Sequence, residues 1–282
     1  IGVFIGVREL PTGTNLNHLD FRVTGGNVIE FCDPTNPQFL PVVQVRSPVT
    51  MTLSDAIAQQ GAEKKFILTL KTGSGKAIAP EDLAVMHTKL LHLLVVDPTL
   101  GDYQHIHPEP GPRPGDWTFT MTPKRTGLYR VFADFTPVAT GRGLYAVSEF
   151  TVSGTYHASD TWSSTEVTTA DGYRFELTSS QKPFRARQQA DLQFVVTRTD
   201  GGKVPMEPVM GAFAHLVAFD RDRLGFAHLH PDQYDISVAP DPIHPTLTFK
   251  LTIPQAGSYM IWGQVNLGGT ERFVPFAIEV EK

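Results

Sequence analysis

The sequence predicts an all-β protein, with two tandem antiparallel β-sandwich domains behind an N-terminal extended segment. Three observations carry this reading. The first is an internal repeat. LHLLVVDPTLGDYQHIHP at 91–108 returns as AHLVAFDRDRLGFAHLHP at 214–231, so His92, Asp97, His105, His107 and Pro108 fall on His215, Asp220, His228, His230 and Pro231 at one offset of 123 residues. Further on, Phe119, Gly127, Tyr129, Phe132 and Asp134 meet Phe249, Gly257, Tyr259, Trp262 and Gln264 at an offset of 130, and one seven-residue insertion accounts for the change. Two copies of this length make a duplicated domain, since a solenoid needs a shorter period and more copies. The second observation is period-two alternation in short runs closed by turn residues, with almost no helical periodicity. The third is composition: 22 Pro, 24 Gly and only 19% charged residues among 282, a mixture usual for β-rich chains with many turns.

Residues 1–44 match neither copy. IGVFIGV at 1–7 is a β-prone run without charge, followed by the PTGTNLN turn cluster. It reads as a strand of the chain's own sheet or, alternatively, as a donor strand that completes a neighbouring subunit. LDFRVTGGNVIEF reads as two short strands about Gly25 and Gly26, and CDPTNPQFLP as an extended linker. The first domain takes 45–154. There SPVTMTLSDA and KKFILTLKTGSGKAI alternate as half-buried strands do, and 80–83 suggests a short helical turn. HLLVVD is a strand ended by Pro98, HIHP follows, and WTFTMT and LYRVFADF supply the last pair. The polar, Ser- and Thr-rich stretch 155–170 reads as the linker. The second domain, 171–282, replays the order with YRFELTSS, ADLQFVVTRTDGGKV, HLVAFD, HLHP, LTFKLTI and YMIWGQV.

Composition excludes several function classes. A net charge of -5 without any basic run disfavours nucleic acid and anionic membrane surfaces. The longest apolar runs, IGVFIGV and LLHLLVV, are far too short to span a bilayer. Cys32 is the single cysteine, which rules out an intrachain disulfide and leaves the compartment open; a buried thiol is its plainest reading. The chain opens on Ile1 and not on methionine, as happens when a signal peptide is removed or when a sequence begins inside the encoded protein. No GxSxG, HExxH, Walker or Rossmann pattern occurs, and the expectation is a protein that is not an enzyme.

The chemistry-bearing feature is histidine. Six of the ten histidines sit at matched places in the two copies. In an extended strand His105 and His107 point the same way about 7 Å apart, as do His228 and His230. His92 shares its face with Leu94 and Val96, and thirteen residues with a turn bring HxH back beside it. Three imidazoles then converge, a donor set suited to copper or zinc. A lone histidine on a sheet is more often a hydrogen-bonded packing residue than a ligand, but packing alone would tolerate Tyr, Thr or Leu at these matched places. Five residues upstream the copies differ: His87, next to Met86, against Met210. A thioether there favours copper over zinc. Neither copy contains Cys, which excludes a blue-copper His2Cys centre within a repeat. Asp97 and Asp220 sit where an Asp caps a turn, with orientation of an imidazole as the alternative. Asp134 stands where the other copy has Gln264, which argues against a shared catalytic acid.

The order of strand, GK turn, His or Met, HL-x-V-x-D, HxHP, then G-x-Y and an aromatic strand resembles the small cupredoxin-like or immunoglobulin-like domains of secreted bacterial proteins, the heavy-metal-associated YtkA-like group among them. The resemblance covers about 47–152 and 171–281. It implies a location outside the cytoplasm (periplasm, cell surface or extracellular space) and a role with a metal, copper first. Carried over position by position, it implies His92, His105 and His107 as ligands in the first domain and His215, His228 and His230 in the second, with His87 and Met210 at the variable place. Tandem copies with their own N-terminal segment depart from the single-domain pattern.

The expected function is therefore copper sequestration or delivery, one ion per domain near a domain edge. The partners are the metal ion and, through the N-terminal strand, other copies of the chain. The main alternative is a structural subunit of an extracellular oligomer or filament, with the histidines as a packing corner. A redox or hydrolytic enzyme with an open metal position is a third reading and lacks a visible acid or base partner.

Overall fold

The computed structural model describes residues 16–21, 39–155 and 165–282. The N-terminal strand expected at 1–7, Gly25, Gly26, Cys32 and His157 lie outside the described residues. The strands of the first domain are β1 (Val49–Ser54), β2 (Ile57–Gln59), β3 (Lys64–Thr72), β4 (Leu83–Ala84), β5 (His92–Val96), β6 (Tyr103–Ile106), β7 (Glu109–Pro110), β8 (Asp116–Met121), β9 (Gly127–Pro137) and β10 (Leu144–Ser153). Those of the second are β11 (Val167–Ala170), β12 (Tyr173–Ser179), β13 (Phe184–Arg185), β14 (Gln189–Arg198), β15 (Met206–Glu207), β16 (Ala214–Asp220), β17 (Phe226–Leu229), β18 (Thr246–Thr252), β19 (Gly257–Leu267) and β20 (Thr270–Glu281). A 3-10 turn, Pro80–Asp82, stands where a helical turn is expected, and another, His18–Phe21, takes the start of the stretch read as a strand at LDFRV. β11 begins inside the stretch read as linker, so its last four residues belong to the second domain's sheet.

Each domain is a sandwich of two sheets. In the first, the order β1-β3-β8-β7 faces β2-β10-β9-β5-β6, with β4 added to β9. In the second, β11-β12-β14-β18 faces β13-β20-β19-β16-β17, with β15 added to β19. The pairing is antiparallel except where β2 joins β10 and β13 joins β20. Alternation in the sequence supplies the cores: Phe66, Leu68 and Leu70 of β3 point inward with no exposure, as do Leu192, Phe194 and Val196 of β14. Met51 and Met121 are core fillers.

The larger sheets of the two domains pack against each other. Every residue of β5 is buried. Leu93 and Val95 fill the first domain's own core, whereas Leu94 and Val96 join a separate cluster with Phe132, Val217, Phe219, Phe226 and Trp262, drawn from both domains. A strand covered on both faces has no need of polar alternation, which is why HLLVV is continuous in apolar residues. Polar contacts cross the same boundary. The Trp262 indole donates to the Leu100 carbonyl at 3.1 Å, and the Arg223 guanidinium donates to the Leu128 carbonyl at 2.7 Å.

The end of the proline-rich segment before the first domain is strapped to the second. Phe39 lies in the second domain's core, donates its main-chain N–H to the Thr252 carbonyl at 3.1 Å and packs edge-on to Tyr259. Leu40 exchanges two main-chain hydrogen bonds with Phe226, at 2.7 and 3.0 Å. Gly225 makes room for this approach, because a Cβ there would run into the Leu40 carbonyl.

Candidate metal centre

Strand register builds each histidine triad. In β5 and β6, Leu94 pairs with His105, and in β16 and β17, Val217 pairs with His228. Directly opposed residues of an antiparallel pair share a face. His105 therefore points the way Leu94 and His92 point, and His107 follows two residues later opposite His92. Because this is the face that meets the other domain, the triads lie between the domains and not at an outer edge, contrary to expectation. Rings of opposite triads approach closely: His105 and His228 centroids are 5.1 Å apart, and those of His92 and His228 are 5.6 Å apart. Within each triad one ligand atom per residue lies within 4.8 Å of the others.

Hydrogen bonds from outside the triads hold four of the six rings, His92, His215, His105 and His228. A two-residue turn precedes each triad's first histidine. In one, His87 and Thr88 have φ of 48° and 70°; in the other, Met210 and Gly211 have 51° and 76°. The residue before each turn offers its carbonyl: Met86 O receives His92 Nε2 at 3.0 Å, and Val209 O receives His215 Nε2 at 3.0 Å. A carbonyl only accepts, so the proton of each ring is on Nε2 and Nδ1 carries the lone pair. His105 Nδ1 meets Gln264 Oε1 at 2.8 Å, and the Gln264 amide nitrogen donates to Glu271 at 2.8 Å, which sets the amide's orientation. His228 Nδ1 meets the Asp134 carboxyl at 3.1 Å. Nε2 of His105 is thereby left with a lone pair, and so is Nε2 of His228 when the Asp134 carboxyl is ionised.

The consequence differs in form between the triads and agrees in meaning. In the first, His92 Nδ1 lies 3.1 Å from His105 Nε2 and 3.2 Å from His107 Nε2. The His92 and His105 lone pairs repel at this distance unless a cation sits between them, and nitrogens bound tetrahedrally at 2.0–2.1 Å stand about 3.3 Å apart. In the second, the buried atoms His215 Nδ1, His228 Nε2 and His230 Nε2 have no hydrogen-bond partner among the described residues. Buried polar atoms without partners are rare and need a reason.

A proton is a poor candidate for that cation. Burial, the largest cause, together with the neighbouring imidazoles pushes His92 and His215 down to about 4 and His107 to about 3, and holds His105, His228 and His230 well below the ordinary histidine value. At neutral pH the triads are neutral, the form that ligates metal. Burial pushes the Asp134 carboxyl up, to about 7.

Of the eight residues singled out in the sequence, six form the two triads, each able to hold a metal ion. His87 stands apart from its own triad, 6.4 Å ring to ring from His92, and stacks in parallel on His230 of the other domain at 3.6 Å. Met210 occupies the matching turn and is half-buried. Asp97 caps its turn, accepting from the main-chain N–H groups of Thr99, Gly101 and Asp102, and Asp220 accepts from Gly225. His18 and His244 are exposed. Sequence reasoning missed the supporting partners Asp134, Gln264 and Glu271. The matched offset of Asp134 and Gln264 was the available signal.

A protein-family model described as a domain of unknown function (DUF8832) matches residues 44–154 and again 168–282. The chain belongs to this family. Nothing in the matches names the YtkA-like or heavy-metal-associated group. No curated protein matches the chain. Solved structures similar to it include FdeC, an Escherichia coli adhesin, at 16% identity and TM-score 0.24, covering 83% of this chain and 64% of that one. Salmonella alpha-2-macroglobulin reacted with methylamine follows at 13% and 0.27, covering 82% and 15%. The fibronectin(III)-like modules of Clostridium thermocellum CbhA stand at 12% and 0.21, covering 82% and 93%. The chain thus spans under two thirds of the first two. TM-scores this low carry nothing about function.

Proposed function

We propose that this DUF8832 protein binds copper at its paired histidine triads and works in sequestering or delivering the ion outside the cytoplasm. The observation that carries the reading is the set of three buried imidazole nitrogens in the second triad without partners among the described residues, together with the His92 and His105 lone pairs that face one another in the first. Copper is favoured over zinc on two grounds. For a given nitrogen site the divalent series peaks at copper. Neither triad contains a carboxylate or thiolate ligand, so a bound ion keeps its full charge in a buried place. A monovalent ion costs less there than a divalent one, and Cu(I) is the monovalent choice for imidazole. The location rests on the resemblance of the repeats to secreted bacterial domains. The reading is of a binding protein and not a catalyst, since Asp134, the carboxyl that reaches a triad histidine, is held by His228.

Elemental analysis of the purified protein, repeated after titration with Cu(I), tests this. The expected result is two coppers per chain, falling to one in His105→Ala and to one in His228→Ala. No metal as purified, together with no copper uptake at micromolar concentration, would leave the triads as a packing motif.

A further inference from the structure

The partners of the two inner histidines are exchanged between the domains. His105 belongs to the first domain, but its Nδ1 is held by Gln264 of β19 in the second. His228 belongs to the second, but its Nδ1 is held by Asp134 of β9 in the first. In the ladders, Asp134 lies opposite His92 of its own domain and Gln264 opposite His215 of its own, yet both side chains reach across the boundary. Duplication produced the two positions, and the docking of the domains crossed them.

Resting on the metal reading of the triads, we infer that the triads form one two-metal centre in which each domain positions a ligating histidine of the other, and in which the second-domain site is the tighter. The difference follows from the exchanged partners. An imidazole whose remote N–H donates to a carboxylate is a stronger electron donor to a metal than one donating to a neutral amide. His228 has the carboxylate and His105 the amide. Asp134 and Gln264 are thus positioning residues, each for the opposite site. A carboxylate beside one site alone also supplies a countercharge for its ion, so the second-domain triad fills first. His87 extends the same coupling, because its stacked ring ties the turn of the first domain to His230 of the second.

The test uses the full chain with one triad left in each variant. His105→Ala retains the second-domain site and His228→Ala retains the first. Copper affinity is measured by competition with a chelator, and the Cu(II) electron paramagnetic resonance spectrum is recorded. Added to His105→Ala, Asp134→Asn keeps an acceptor but removes the charge; it should weaken binding about ten- to hundredfold and shift the spectrum. Added to His228→Ala, Asp134→Asn should change affinity less than about twofold, although Asp134 lies in that site's own domain. Gln264→Ala should show the reverse pattern. In the unsubstituted chain the first equivalent of copper should give the spectrum of the His105→Ala form. If each substitution weakens the site of its own domain, or neither weakens any site while both single-site variants still bind one copper, the inference is overturned and the metal reading survives. If neither single-site variant takes up copper, both are overturned.

Discussion

Acidifying the metal-free protein should destabilise it at a pH where most carboxylates are still ionised. His92 and His215 are 3% and 0% exposed, and burial pushes each from 6.5 down to about 4. The unfolded chain therefore takes up these protons below pH 6.5, while the folded chain resists until about pH 4. Stability is full above 6.5, falls as pH drops through this window, and levels off below it. Each of the two residues accounts for about 3 kcal/mol. The other four triad histidines act with the same sign. Asp134 acts with the opposite sign: its folded value is raised to about 7, so acid favours its folded form, by about 4 kcal/mol. One carboxyl does not offset six imidazoles. Against a total stability of about 5–15 kcal/mol the net loss is large. The assay is urea unfolding followed by tryptophan fluorescence, with metal removed by chelation, between pH 7.5 and 4.5. The midpoint should fall steadily below pH 6.5, and His215→Gln should flatten the fall. A midpoint constant over this range would mean that the imidazoles are hydrated and that the domains do not close over them.

Three further expectations concern the packing around the centre. Trp262→Phe removes the indole that donates to Leu100 O across the domains and leaves a buried carbonyl bare; chemical denaturation should show a loss of about 1–3 kcal/mol. Tyr103→Phe should behave oppositely, because the Tyr103 hydroxyl is buried without a partner among the described residues and the matched residue is Phe226; the unfolding midpoint should hold or rise, and a loss above about 1 kcal/mol would contradict the unsatisfied hydroxyl. Gly225→Ala forces a methyl against the Leu40 carbonyl, and hydrogen exchange at Leu40 and Phe226 should quicken at a cost of about 1–3 kcal/mol.

Much of the fold was legible because sandwich strands write their burial in a period of two, and because duplication wrote it twice. Phe66, Leu68 and Leu70 are inward for the reason their alternation suggests. The triads were legible for the same reason: HxH on one strand and His92 on its neighbour need only local pairing to converge. What lay between the domains was not. A continuous apolar run such as HLLVV reports that both faces are covered but not by what, and here the second cover is another domain. The crossing of Asp134 and Gln264 is invisible for this reason, since only the docked pair brings each to its imidazole. The place of His87 was not legible either, since its turn, with φ of 48°, sets the ring against His230 of the other domain. The residue before the turn serves His92 through its carbonyl.

The strap at Phe39 and Leu40 has a consequence for synthesis. Its anchors, Phe226, Thr252 and Tyr259, are translated some two hundred residues later than the strap itself. A chain made from its N-terminus can complete the first sandwich early, since domains fold as units, but the strap has nothing to hold until the second sandwich is nearly finished. Gln264 emerges at the same late stage. The first triad is thus assembled without its outer partner and gains it only when the second sandwich docks, so the order of translation itself delays a finished site until both domains are present.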